Sequence, residues 1–162
     1  MTVDADGSVT AVMVAIREAG PGDVLCVLGK DGAVIGEFLA LECQRRNLAA
    51  VVVDGRIRDL AVLRDLDLPI FARGAVPHAA PPGSEGLIQE GVMLCGVDIK
   101  PGDWLVGDDD GIVCVTVGEA TSVLEKAEAT IASEDRLRQR MEAGELMFDI
   151  LDESRDPGLA GL

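Results

Sequence analysis

An α/β architecture that ends in a long helix is what this sequence predicts, on three observations. Over residues 9–75, apolar runs of strand length alternate with segments whose apolar residues recur at helical spacing. Over 87–117 the pattern changes to strand runs carrying a hairpin signal at Asp109-Asp110-Gly111. Over 118–144 a charged segment carries one apolar stripe. Interleaved helices and strands, then hairpins, then a helix place the chain among mixed α/β folds. A length of 162 residues fits one domain, taken as 1–150, with 151–162 as a flexible polar tail.

In chain order, Val9, Val12, Met13 and Ile16 make 8–18 a short helix that stops at Gly20-Pro21-Gly22. Residues 23–28 form a buried strand and 29–32 a turn. Gly36 opens a helix over 36–47, with Glu37 and Glu42 early and Arg45 and Arg46 late, which suits the helix dipole. Residues 48–53 are an apolar strand, 58–66 a short helix and 69–72 another strand. The Pro- and Gly-containing stretch 77–86 is a loop. Strands follow at 91–97, 104–106 and 112–117. The last helix is striped by Val123, Leu124, Ala127, Ile131, Leu137 and Met141 and halts at Gly144.

Composition narrows the function. The formal charge is −15 and the pI about 4.3, which argues against nucleic acid or an anionic membrane as partner, since both require a basic face. No apolar run reaches the length of a membrane span, and the acidic start lacks the cationic region of a secretory signal. With three Phe, one Trp and no Tyr, the core must be aliphatic. Cys26, Cys43, Cys95 and Cys114 show no C-x-x-C pairing, and all but Cys43 sit in strand-like runs. They are expected to be buried, reduced thiols of a cytoplasmic protein.

The chemistry concentrates between Gly36 and Asp59. The first N–H groups of a helix opened by Gly36 lack intrahelical acceptors and can hold a carboxylate or phosphate; the plain alternative is a turn glycine. Arg58-Asp59 follows a buried strand, where open α/β sheets place ligands. Arg58 can fork onto a carboxylate or polarise a carbonyl, and Asp59 can hold Mg²⁺; a surface ion pair or a helix cap is the alternative. Asp54 and Arg56 compete for the same roles. Asp108-Asp109-Asp110 lacks calcium-loop spacing and reads as a solvated hairpin tip. His78, the only histidine, has no triad partners at a recognisable spacing. The acidic residues of the last helix, Glu134 among them, form a solvated face interleaved with Arg and Lys; Glu134 is also placed to reach a neighbouring subunit's site.

Taken together, Pro21-Gly22-Asp23, Gly36-Glu37-Phe38-Leu39-Ala40, Asp54-Gly55 with Arg58-Asp59, Ala72-Arg73-Gly74 and Pro101-Gly102-Asp103 resemble one family over about residues 20–145. It is that of the 4-hydroxy-4-methyl-2-oxoglutarate aldolases and the regulator of ribonuclease E activity A, some of whose members are labelled dimethylmenaquinone methyltransferases. Glu37, a spacer over 38–57 and Arg58-Asp59 match the aldolase branch. The resemblance implies a swivelling β/β/α-type sandwich, assembled as a homotrimer or a hexamer with sites between subunits. It implies Mg²⁺ or Mn²⁺ held by Asp59 directly or through water, with Glu37 ordering metal-bound water. Arg58 would meet the oxygens of a pyruvyl group, and the segment Gly36-Phe38-Leu39 would hold its carboxylate. The expected function is a metal-dependent lyase releasing pyruvate from a 4-hydroxy-2-oxo acid, possessing oxaloacetate decarboxylase chemistry as well. The alternatives are a non-catalytic regulatory or scaffold protein, or an enzyme using the same enolate site on another oxo acid. Two departures bear on this: family members usually carry a longer N-terminal segment that helps wall the site, and the loop after Gly74 usually bears Arg and Lys where this chain has His78.

Overall fold

The computed structural model describes residues 1–153, which divide into two compact units between Thr116 and Val117. Expectations for residues 154–162 of the tail lie outside the described residues.

In the first unit, β2 (Val24–Ile35), β3 (Ala50–Ile57) and β4 (Ile70–Ala75) run parallel in a five-stranded sheet ordered β4-β3-β2-β1-β5. β1 (Thr2–Asp4) is parallel to β2, and β5 (Leu87–Ile88) closes the edge antiparallel to β1. The register Leu25↔Val51 and Val51↔Ile70 aligns the strands. Because side chains alternate across a strand, β2 feeds two cores. Leu25 and Val27 pack with Val12, Ile16, Ala40 and Cys43 of α1 (Val9–Glu18) and α2 (Glu37–Arg45). Cys26 joins Val92, Leu94 and Ile99 of the hairpin β6 (Val92–Leu94) and β7 (Val97–Ile99). Helices thus cover one face and hairpins the other. Truncating a fully buried side chain such as Leu25 to Ala would cost about 2–5 kcal/mol.

α1 starts at Ser8, whose Oγ accepts the Thr10 N–H at 3.1 Å, as expected of an N-cap serine. The hairpin β8 (Trp104–Asp108) and β9 (Gly111–Val115) turns at the predicted aspartates, and Asp108 Oδ1 accepts the Asp110 N–H at 2.9 Å. That bond is why the acidic triplet is a turn.

Several boundaries differ from the sequence reading. β2 does not stop at 28. It continues to Ile35 through a register shift between Leu28 and Ala33, because Gly29 and Gly55 let the two strands approach closely. β3 likewise runs on through Asp54-Gly55-Arg56, predicted as loop. The segment 91–97 is not one strand but a strand and a turn with Cys95 and Gly96 at positive φ. β1 was not foreseen; three residues are too few to show a period. Of the cysteines, Cys26 and Cys43 are buried, whereas Cys95 is exposed at that turn and Cys114 is half-buried, correcting the expectation of four buried thiols.

In the second unit, α4 (Ala120–Glu142) ends in a Schellman motif. Gly144, at φ +96°, donates to the Met141 carbonyl at 3.0 Å, and Glu145 donates to that of Arg140 at 3.2 Å. A short helix α5 (Met147–Glu153) follows. No residue of α4 is buried, so its predicted apolar stripe stands open, Leu124 and Ile131 included. The α/β fold with a long C-terminal helix is as the sequence predicts.

Candidate functional site

α2 begins at Gly36, whose extended backbone (φ −146°, ψ −170°) carries no side chain to cap the helix. The cap comes instead from Asp59, just beyond β3: its Oδ2 accepts the Glu37 N–H at 3.0 Å. Asp59 sits in the left-handed region (φ 63°) as the N-cap of α3 (Leu60–Leu63), a conformation that Asp tolerates better than most residues. Arg58 is fixed by its N–H to the Ile35 carbonyl at 3.0 Å, and its Nε lies 3.4 Å from Asp59 Oδ2. Both side chains are 38% exposed.

Gly36 is what allows this corner to close. A Cβ there would lie 2.6 Å from Asp59 Oδ2, 2.9 Å from Arg58 Cγ and 3.0 Å from Arg58 Nε. The carboxylate and the guanidinium therefore occupy the volume of the missing side chain. The N–H groups of Phe38 and Leu39 precede the first i→i−4 bond of the helix, made by Ala40 to the Gly36 carbonyl at 3.0 Å. The corner thus brings together Gly36, the Glu37 N–H, Arg58, Asp59 and the first turn of α2. Phe38 projects outward, 77% exposed. Glu134 lies on α4 in the second unit, with its side chain exposed.

Asp54 and Arg56 do not join this corner. Asp54 ion-pairs with Arg73 Nε, and its Oδ2 accepts the Cys95 N–H at 2.6 Å. Arg73 holds the Asp54 carboxyl below the usual carboxylate range; partial burial opposes the shift and the Cys95 N–H adds to it. Arg56 Nη1 donates to the Arg73 carbonyl at 3.4 Å. The sequence reading missed the Asp54–Arg73–Cys95 cluster, because its members come from β3, β4 and the β6–β7 turn with no spacing motif to join them. It also took Gly36 only as a helix opener, not as a cradle.

Could this corner hold a metal? Among the described residues no three His, Cys, Asp or Glu side chains converge. Asp59 Oδ1 has no partner among them, since both contacts of the carboxylate fall on Oδ2. One open carboxylate oxygen fits Mg²⁺ or Mn²⁺, ions that bind through one or two carboxylates and keep several waters.

Comparison with known proteins defines the class. Residues 1–114 match the family model RraA-like, described as Aldolase/RraA. The chain belongs to the RraA-like family. A protein of Halalkalibacterium halodurans provisionally named 4-hydroxy-4-methyl-2-oxoglutarate aldolase is 37% identical over 139 residues, 84% of this chain and 66% of that protein. One of the same provisional name from Alkalilimnicola ehrlichii is 38% identical over 107 residues, 64% of this chain and 66% of its own length. This chain therefore spans less than two thirds of the length of the curated relatives it matches. Among solved structures, Streptomyces coelicolor RraAS2, described as an unusual member of the RNase ES inhibitor RraA protein family, is 36% identical. It superposes with a TM-score of 0.75 over 86% of this chain and 75% of that one. The RNA-processing inhibitor RraA of Thermus thermophilis gives 29% identity and a TM-score of 0.65, over 70% of each chain. Among the described residues no helix is long and apolar enough to cross a membrane.

Proposed function

We propose that the corner formed by Gly36, Glu37, Arg58 and Asp59 is the substrate site of a divalent-metal-dependent lyase that cleaves a 4-hydroxy-2-oxo acid to pyruvate. The observation that carries this reading is the packing of Arg58 and Asp59 into the empty side-chain position of Gly36, against the opening turn of α2. A cation, an anion-binding helix start and a carboxylate with one open oxygen meet in one place. That is what a 2-oxo acid undergoing C–C cleavage requires.

In the cleavage, the 4-hydroxyl loses its proton and the C3–C4 bond breaks. Its electron pair moves through C2 onto the carbonyl oxygen, leaving the enolate of pyruvate, while C4, now doubly bonded to its oxygen, departs as a carbonyl compound; protonation at C3 completes pyruvate. The N–H groups of Phe38 and Leu39 hold the substrate carboxylate, assisted by the helix dipole. Arg58 presents its guanidinium to the oxygen on which charge develops, an interaction that strengthens toward the transition state. Asp59 supports the Glu37 N–H and Arg58 with Oδ2 and offers Oδ1 to Mg²⁺ or Mn²⁺. Glu37 orders the water that receives the hydroxyl proton. The metal, when bound, adds Lewis-acid polarisation of the same carbonyl. Oxaloacetate decarboxylation yields the same enolate with CO₂ as the departing group. Glu134 is assigned to complete the site from a neighbouring copy in a homotrimer or hexamer.

A second reading, a regulatory binding protein on the same fold, is favoured by the 36% identity to RraAS2 and its description as an RNase ES inhibitor relative. Pyruvate release from oxaloacetate and from 4-hydroxy-4-methyl-2-oxoglutarate separates the two, measured with Mg²⁺ and with EDTA for wild type, Asp59→Ala and Arg58→Lys. The lyase reading expects metal-dependent turnover that falls by about 10²-fold or more in either variant. Turnover indifferent to metal and to both substitutions overturns it. No turnover in folded wild type transfers the weight to the regulatory reading.

A further inference from the structure

We propose that the cavity on the hairpin-covered face of the sheet is a binding site for a small hydrophobic carboxylate, separate from the lyase corner and independent of it. The cavity, of about 320 Å³, is lined by Val52, Phe71, Leu94 and Ile112, with Asp54 and Arg73 at its polar end. It lies in the first unit, on the face of the sheet opposite α1 and α2. Its volume sits at the lower end of the range for small-molecule sites, which suits a short acyl chain or a single ring.

The polar end gives the ligand its head group. Asp54, with only 11% of its side chain exposed, has both oxygens occupied, Oδ1 by Arg73 Nε and Oδ2 by the Cys95 N–H. It therefore spends its charge on orienting the guanidinium. Arg73 is engaged through Nε alone. Its Nη1 and Nη2 have no partner among the described residues, and its side chain is 56% exposed. A guanidinium fixed through Nε presents its remaining N–H fork to a planar two-oxygen acceptor, and a carboxylate matches that fork. Apart from Gly111 and the thiols of Cys95 and Cys114, the rest of the lining is aliphatic and aromatic, with no second charged or amide side chain to anchor a sugar, nucleotide or polyol. The occupant is thus an apolar body with one terminal carboxylate. Cys95 and Cys114 also line the cavity and provide a chemical report of occupancy.

Octanoate is the probe, with octan-1-ol as the uncharged control of similar chain length. Titrations followed by ¹H–¹⁵N correlation spectra, together with the rate of Cys95 alkylation by iodoacetamide, are run on the full chain, on Arg73→Gln and on Ile112→Trp. The expected outcome is saturable octanoate binding that slows alkylation, with octan-1-ol weaker by roughly tenfold, the loss of one charge-assisted contact. Arg73→Gln should weaken octanoate by a similar factor and leave octan-1-ol unchanged, which also shows that the cavity persists in the variant. Ile112→Trp should exclude both. Equal affinity for acid and alcohol in wild type, octanoate binding unaffected by Arg73→Gln or by Ile112→Trp, or no saturable binding of octanoate at all would each overturn the proposal. None of these readouts involves pyruvate release, so the lyase reading stands or falls separately.

Discussion

Replacing Gly36 by Ala tests the candidate site with a single methyl group. The backbone at 36 is extended, so alanine meets no conformational penalty there; the whole effect must come from the space the methyl takes. It would stand 2.6 Å from Asp59 Oδ2, against about 3.4 Å for ordinary contact, so the carboxylate must retreat by about 0.8 Å. Arg58 Cγ and Nε, at 2.9 and 3.0 Å, must give way too. A retreat of that size takes the 3.0 Å bond from the Glu37 N–H out of hydrogen-bonding range. Losing a cap of this kind costs about 1 kcal/mol, or roughly 4 °C in Tm for a chain of this size. Activity should suffer more, because misplacing a reacting group by about 1 Å costs on the order of 10²-fold. Thermal unfolding and metal-dependent pyruvate release, measured on the same preparation, separate the two effects. A variant that keeps wild-type turnover within about twofold while losing the expected stability would show that Arg58 and Asp59 serve as cap and ion pair only.

Other consequences are open to measurement. Gly86 adopts φ +62°, and a Cβ there would overlap the Asp4 carbonyl oxygen next to the β1–β5 pairing. Gly86→Ala should therefore destabilise by about 1–3 kcal/mol or more in denaturant titration, whereas Gly118→Ala, at a site with open space, should not. Arg73 lowers the folded-state pKa of Asp54, so the pair's contribution is present above the ordinary Asp value of about 3.9 and fades as pH falls from there through the folded value. Asp54→Asn should flatten that part of the acid-unfolding profile; an unchanged profile would show that the pair adds nothing. Among the thiols, Cys95 is exposed, while burial raises Cys26 to about 11 and Cys43 to about 12. Iodoacetamide at neutral pH should label Cys95 in the native protein and reach Cys26 and Cys43 only on unfolding, as peptide mass mapping would record.

What could be read from sequence follows the range over which each signal acts. The helical spacing of Val12 and Ile16, the apolar run at 51–53 and the aspartate-rich turn at 108–110 are local, and each element formed where expected. Gly36, Glu37, Arg58 and Asp59 were singled out through the order of the chain and through family resemblance, and their convergence follows from the parallel pairing of β2 with β3. The continuation of β2 past Leu28 was hidden because it depends on two glycines, Gly29 and Gly55, meeting across strands. The Asp54–Arg73–Cys95 cluster was hidden for the same reason: its members lie 19 and 41 positions apart and share no motif. The open stripe of α4 shows the converse limit, for periodicity predicts a helix without saying what lies against it.

The cap on α2 arrives from 22 positions downstream. A peptide covering only 36–46 would begin without its acceptor and, being short, should be weakly helical on its own. In the intact chain the first turn of that helix can be completed only after β3 has docked beside β2 and the chain has bent left-handed at 59. The capped start of the helix, where we propose a substrate carboxylate is held, therefore depends on this long-range contact, and a partly unravelled molecule would lose that corner before it loses its sheet.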